Sequence, residues 1–160
     1  VLSRDGRVHL NPRTCWVDAW AFEALLAKGV QSPAGAAPYP IERAAHLYVG
    51  PFLNDEAGES WAVAFRERLH RKYLEAILAH GRELEAQHDL ETALTWYRRG
   101  LDQDDLMEAL YQRILYCCGV LGQRAEGIAA YERCRERLQD ALGIAPWSQT
   151  DALLDVLLAL

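Results

Sequence analysis

Residues 90–100 read LETALTWYRRG, and residues 124–134, 34 positions further along, read RAEGIAAYERC. Few identities join the two stretches, chiefly Tyr97 with Tyr131 and Arg99 with Arg133. Their pattern of sizes agrees better: Ala93 aligns with Gly127, Leu94 with Ile128, and Gly100 with Cys134. A small residue that returns at one register marks a place where two helices approach closely, because a larger side chain would hold them apart. The tyrosine one turn later fills the space beside it.

The match extends backwards. Ile77 aligns with Tyr111, Leu84 with Cys118, and His88 with Gly122 in the turn. Each unit therefore holds two helices, 74–87 with 90–101 and 107–120 with 124–141. A period of 34 residues with this alternation of small and large is the tetratricopeptide signature. It predicts an all-α fold of stacked helix pairs. Upstream, Trp61, Phe65, Leu69, Tyr73, Ile77, Gly81 and Leu84 recur three or four apart and predict one helix through about Ala86. Its opposite side carries Arg66, Arg68, Arg71 and Lys72, but Glu67 and Glu75 flank them, so a solvated helix face is the better reading than a nucleic-acid site.

Nearer the start, Asp18 is placed to cap AWAFEALLAK, and Gly29 to end it. Pro40 opens IERAAHLYV and Gly50-Pro51 stops it. The final DALLDVLLAL reads as a packed terminal helix. The first 17 residues differ: VLS and RVHL flank Arg4-Asp5-Gly6, a hairpin signal. A lone hairpin is barely stable, so its strands are expected to belong to a sheet outside this stretch, and the chain to be part of something longer. The division expected is 1–17 and 18–160.

Composition excludes several function classes. Hydrophobic residues at 51% and charged residues at 25% are the balance of a soluble globular protein, and no apolar run approaches a membrane span. A net charge of −6 argues against this segment gripping a phosphate backbone by itself. Cys15, Cys117, Cys118 and Cys134 show no disulfide framework, which fits a reducing cytoplasm. Chemistry finds little footing either. The chain lacks GxSxG, HExxH and the common phosphate loops, and its histidines are scattered. Cys117-Cys118 is an adjacent pair, not the CxxC that zinc favours. In the run Asp102 to Asp105, Leu106 and Met107 stand where a calcium loop needs an oxygen ligand and a glycine. Those aspartates suit a helix N-terminus, with Asp104 or Asp105 capping a helix that begins near Leu106. No catalysis, cofactor or metal is expected.

What remains is surface. In stacked pairs the first helices line a concave face, which the repeat register assigns to Glu75, Leu78, Arg82 and Glu85, then Ala109, Gln112 and Tyr116. Such a groove can hold a peptide or a neighbouring domain; it can also be merely solvated, or covered by the terminal helix.

Three stretches together resemble one family, and the likeness covers nearly the whole chain. DGRVHLNP followed by CWVDAWAFEALL, AAHLYVGPFL followed by SWAVAFRERL, and GQRAEGIAAYERCRERLQDALGIAPWSQTDALL are similar, in that order, to the bacterial transcriptional activator domain. That is the helical module of regulators of the Streptomyces antibiotic regulatory protein type. Gly127 stands where the family usually has Ala, and Asp105 where a Pro is common. The resemblance implies a domain that follows a winged helix and serves dimerisation, contact with other domains of the regulator, or contact with RNA polymerase. DNA would be reached only through the upstream domain, and the hairpin would be that domain's last strands. Trp61 and Arg66 match the family's motif, with a structural role the better reading. The alternative is a free-standing tetratricopeptide adaptor that captures a peptide or protein in its groove.

Overall fold

The computed structural model describes residues 2–4, 7–11, 13–31, 39–52 and 60–159, with side chains for 10–11, 13–28, 40–52 and 62–159. Among them run seven helices: α1 (Asp18–Gln31), α2 (Tyr39–Leu47), α3 (Ser60–Ala86), α4 (Leu90–Leu101), α5 (Glu108–Leu121), α6 (Arg124–Leu142) and α7 (Ser148–Ala159). The chain divides into two compact units, residues 1–76 and 77–160, with α3 contributing to each.

The first unit is held by aromatic rings. Phe22 of α1, Tyr48 after α2 and Tyr73 of α3 are buried. Tyr48 stacks on Tyr73 at 4.3 Å between centroids and lies 5.5 Å from Phe22. The Tyr48 hydroxyl reaches His70 Nδ1 at 3.0 Å, so its polar end is satisfied while its ring is dry. Burial, and then Tyr73, push the Tyr48 hydroxyl up to about 12. On the rim Glu23 receives Lys72 at 2.5 Å and Arg68 at 3.5 Å, so part of the basic row on α3 is tied to α1.

The second unit follows the 34-residue plan. Ala93, Leu94, Tyr97, Leu110, Cys117, Cys118 and Cys134 are all fully buried. Helix contact rests on missing side chains. A Cβ on Gly81 would lie 2.3 Å from the Tyr97 ring, and one on Gly127 would lie 2.5 Å from Leu157 Cδ2 and 3.2 Å from Cys118 Cβ. The two turns between paired helices repeat as well. His88 has φ 62° and Gly122 has φ 70°. Asp89 N–H bonds the Leu84 carbonyl at 2.9 Å, and 34 residues later Gln123 N–H bonds the Cys118 carbonyl at 2.8 Å. Both are left-handed helix terminations of the Schellman kind.

Helix α7 stacks as the first helix of a third pair, at a shifted register. Thr150 and Leu157 are buried where α5 buries Leu110 and Cys117, so the offset here is 40 residues. The cause is α6, which has 19 residues where α4 has 12.

Leu2–Arg4 pairs with Arg7–His9, and no third strand joins them among the described residues. The architecture that the fold comparison supports is the helical one. Two expectations need correction. Helix α1 does not stop at Gly29 but continues to Gln31. Helix α5 begins at Glu108 with Met107 at its N-cap and no side-chain cap. Asp104 instead accepts the Leu106 N–H at 3.0 Å, and the Asp105 carboxylate is taken by Arg137 Nε at 2.6 Å.

Candidate partner-binding groove

The inner face of the second unit is built around one carboxylate. Glu85 leaves α3 in its last turn with its side chain 9% exposed. Its Oε1 accepts the Tyr97 hydroxyl at 2.6 Å and Arg113 Nε at 2.9 Å, Arg113 Nη2 bonds Oε2, and Cys117 Sγ stands 3.6 Å away. The donors come from α4 and from two successive turns of α5. A carboxylate this dry is tolerable only when its lone pairs are filled, and here they are. Burial, with help from neighbouring Arg82, holds the Arg113 guanidinium below its ordinary value, and burial pushes the Cys117 thiol up to about 11. That thiol is a packed donor and not a nucleophile.

Above this base lie the remaining groove residues. Leu78 is half-buried and Arg82 exposed on α3. Tyr116 is 43% exposed on α5, its ring 4.7 Å from the Arg113 guanidinium carbon, and Val120, one turn on, is 59% exposed. Ala109 is half-buried, and Gln112 Nε2 donates to Thr150 Oγ1 at 2.9 Å, so α7 occupies that end. Buried Glu108 fastens α7 there, accepting the Trp147 N–H at 2.7 Å and the Thr150 hydroxyl. Helix α7 is thus fastened beside α5, in the row of first helices that the repeat sets out. The 40-residue register puts Val156 where α5 has Tyr116 and α3 has Arg82, and Val156 is 61% exposed.

The residues expected at the groove therefore have different situations. Arg82, Glu85, Leu78, Ala109, Gln112 and Tyr116 all lie in the second unit. Glu75 belongs to the first, exposed, with Oε1 3.9 Å from Arg71 Nε. Arg66 Nε donates to the Phe52 carbonyl at 2.7 Å, beside the edge-on contact of Phe52 with Phe65, and so joins the start of α3 to the segment before it. The Trp61 side chain falls outside the described residues. Sequence reasoning missed Arg113, Val120 and Val156. Val120 follows Tyr116 by one helical turn and was legible from spacing; Val156 was hidden by the longer α6.

The first unit carries a cleft of about 510 Å³ lined by Phe22, Tyr48, Phe52 and Leu69, with Asp18 beside it. No group of three His, Cys, Asp or Glu suited to a metal occurs among the described residues, and none of their helices is long and apolar enough to cross a membrane.

Stacked helix pairs that repeat at 34 residues define a tetratricopeptide-like helical domain. Residues 17–158 match the model of the bacterial transcriptional activator domain, and the chain belongs to that family. It is a transcription-regulator domain. The solved structure of Mycobacterium tuberculosis EmbR in complex with a low-affinity phosphopeptide is similar in fold, with a TM-score of 0.67 at 21% identity over 96% of this chain and 41% of that one. No curated protein sequence matches the chain significantly.

Proposed function

We propose that this chain is the C-terminal helical regulatory and oligomerisation domain of a bacterial DNA-binding transcription regulator, working in the cytoplasm through protein contacts and without catalysis. Residues 1–17 then close an upstream winged-helix domain, and 18–160 form the helical arm. Its partners are a second copy, other domains of the same regulator, and RNA polymerase; DNA is met only through the upstream domain. The family match carries this reading, and the inner face supports it. That face presents Tyr116, Val120 and Val156 to solvent, and side chains of this kind are kept exposed where a partner covers them.

The test is a reporter assay on the full-length regulator. Removing residues 18–160 is expected to leave specific DNA binding and abolish activation. Activation that survives the deletion would overturn the reading. A free-standing adaptor presents the same inner face, and it would bind its peptide with no DNA-binding domain in the reading frame.

A further inference from the structure

The inner face of the second unit has a charge of its own. The 34- and 40-residue registers run that face from Arg82 and Glu85 of α3 through Gln112, Tyr116 and Val120 of α5 to Val156 of α7. Only Arg82, Glu85 and the adjoining Arg113 are charged. Glu85 is spent on Arg113, Tyr97 and Cys117. Arg82 is exposed and has no carboxylate partner among the described residues, and its field reaches Arg113 and Tyr97. One uncompensated guanidinium therefore stands on a face with a second guanidinium beside it, on a chain whose net charge is −6.

We propose that this groove takes an acidic peptide segment, its carboxylates on Arg82 and the outer edge of Arg113 and an apolar side chain on Tyr116 and Val120. Guanidinium receives carboxylate through paired N–H groups, and the ring beside Arg113 gives an apolar residue a surface to cover. The overall negative charge of the chain repels such a segment at long range. At physiological salt that repulsion is screened beyond roughly 8 Å, whereas the contact pair acts at about 3 Å. The proposal rests on reading the inner face as a protein-binding surface.

The probe is a fluorescent synthetic peptide of alternating Glu and Leu, with Lys/Leu and Gln/Leu versions of the same length, titrated into the chain and followed by anisotropy. The Glu/Leu peptide should bind most tightly and weaken with added salt. Arg82→Glu should weaken it by about tenfold, Arg82→Lys by much less, and Tyr116→Ala by a few-fold. Glu132→Gln, exposed on α6, should change nothing. Circular dichroism checks that each variant is folded. Equal or tighter binding of the Lys/Leu peptide, or indifference to Arg82→Glu, overturns the acidic class. If Gln/Leu binds as well as Glu/Leu and Tyr116→Ala weakens both, the groove stands but its charge preference falls. If no peptide binds while deletion of residues 18–160 still abolishes activation, this inference fails and the regulatory reading survives.

Discussion

The two complete helix pairs of the second unit share a plan and differ in what fills it. In the first pair the outer end of the Tyr97 ring sits against Gly81, fully buried, and its hydroxyl finds Glu85. In the second, Leu115 occupies the place of Gly81 and leaves no slot, so Tyr131 is half-buried and its hydroxyl bonds Asp151 of α7 at 2.7 Å. Gly119 stands where the first pair has Glu85. The tyrosine of the first pair is tied within its own pair, through a dry carboxylate that also holds Arg113 of α5; the tyrosine of the second is tied to the next helix. One steric repeat thus supports two hydrogen-bond schemes.

Removing the difference should be costly. Glu85→Ala strands the Tyr97 hydroxyl and a partly buried Arg113, and chemical denaturation should show a loss of about 3 kcal/mol. The matching change in the second pair, Tyr131→Phe, deletes an exposed bond and should cost under about 1 kcal/mol. A smaller loss for Glu85→Ala than for Tyr131→Phe would reverse the contrast. Gly81→Ala puts a methyl into the Tyr97 ring and should cost about 2 kcal/mol despite the helix preference for alanine.

The second pair has its own sensitivity, to alkali. Cys134 replaces Gly100 of the first pair and is fully buried, and burial first, then Glu108 and Asp151, push its thiol up to about 12. Its folded value lies above the unfolded one, so its contribution is complete below about pH 9 and falls as pH rises towards 12. Between pH 8 and about pH 10.5 the chain should lose roughly 2 kcal/mol that Cys134→Ala does not lose. Equal losses in both proteins would mean the thiol is hydrated. Gly127→Ala should fall within about 1 kcal/mol of neutral, since the better helix former must displace the tip of Leu157. Last, His88→Gly should add about 0.5 kcal/mol, because a left-handed residue with a side chain takes the form Gly122 already has. Each is read as a shift in denaturation midpoint.

Much of this was open to a sequence reader, for a physical reason. Close approach of helices demands small residues at one register, so Ala93 and Gly127 announced the pairs, and α4 and α6 begin at Leu90 and Arg124, where the repeat placed them. The order of motifs likewise pointed to the family that residues 17–158 match. The base of the groove was not legible. Glu85 reads as an exposed groove position by period alone, and only folding brings Tyr97, Arg113 and Cys117 onto it from 12, 28 and 32 residues away. The final stretch was read as a packed helix and is one, but the period could not give its register, because the longer α6 resets the count. Asp104 and Asp105 looked like caps by type, but the turn between α4 and α5 uses one locally and gives the other to Arg137.

Glu85 also bears on how the second unit comes apart. In a one-dimensional stack, each pair has an intrinsic stability and a coupling to its neighbour, and the two are usually separable. Here the same carboxylate bonds Tyr97 within the first pair and Arg113 in the next. Intrinsic and coupling terms therefore share an atom group and are lost together. Hydrogen exchange should find the last turns of α3, all of α4 and the middle of α5 opening as one cooperative block, with no state in which the first pair frays while the second stays capped.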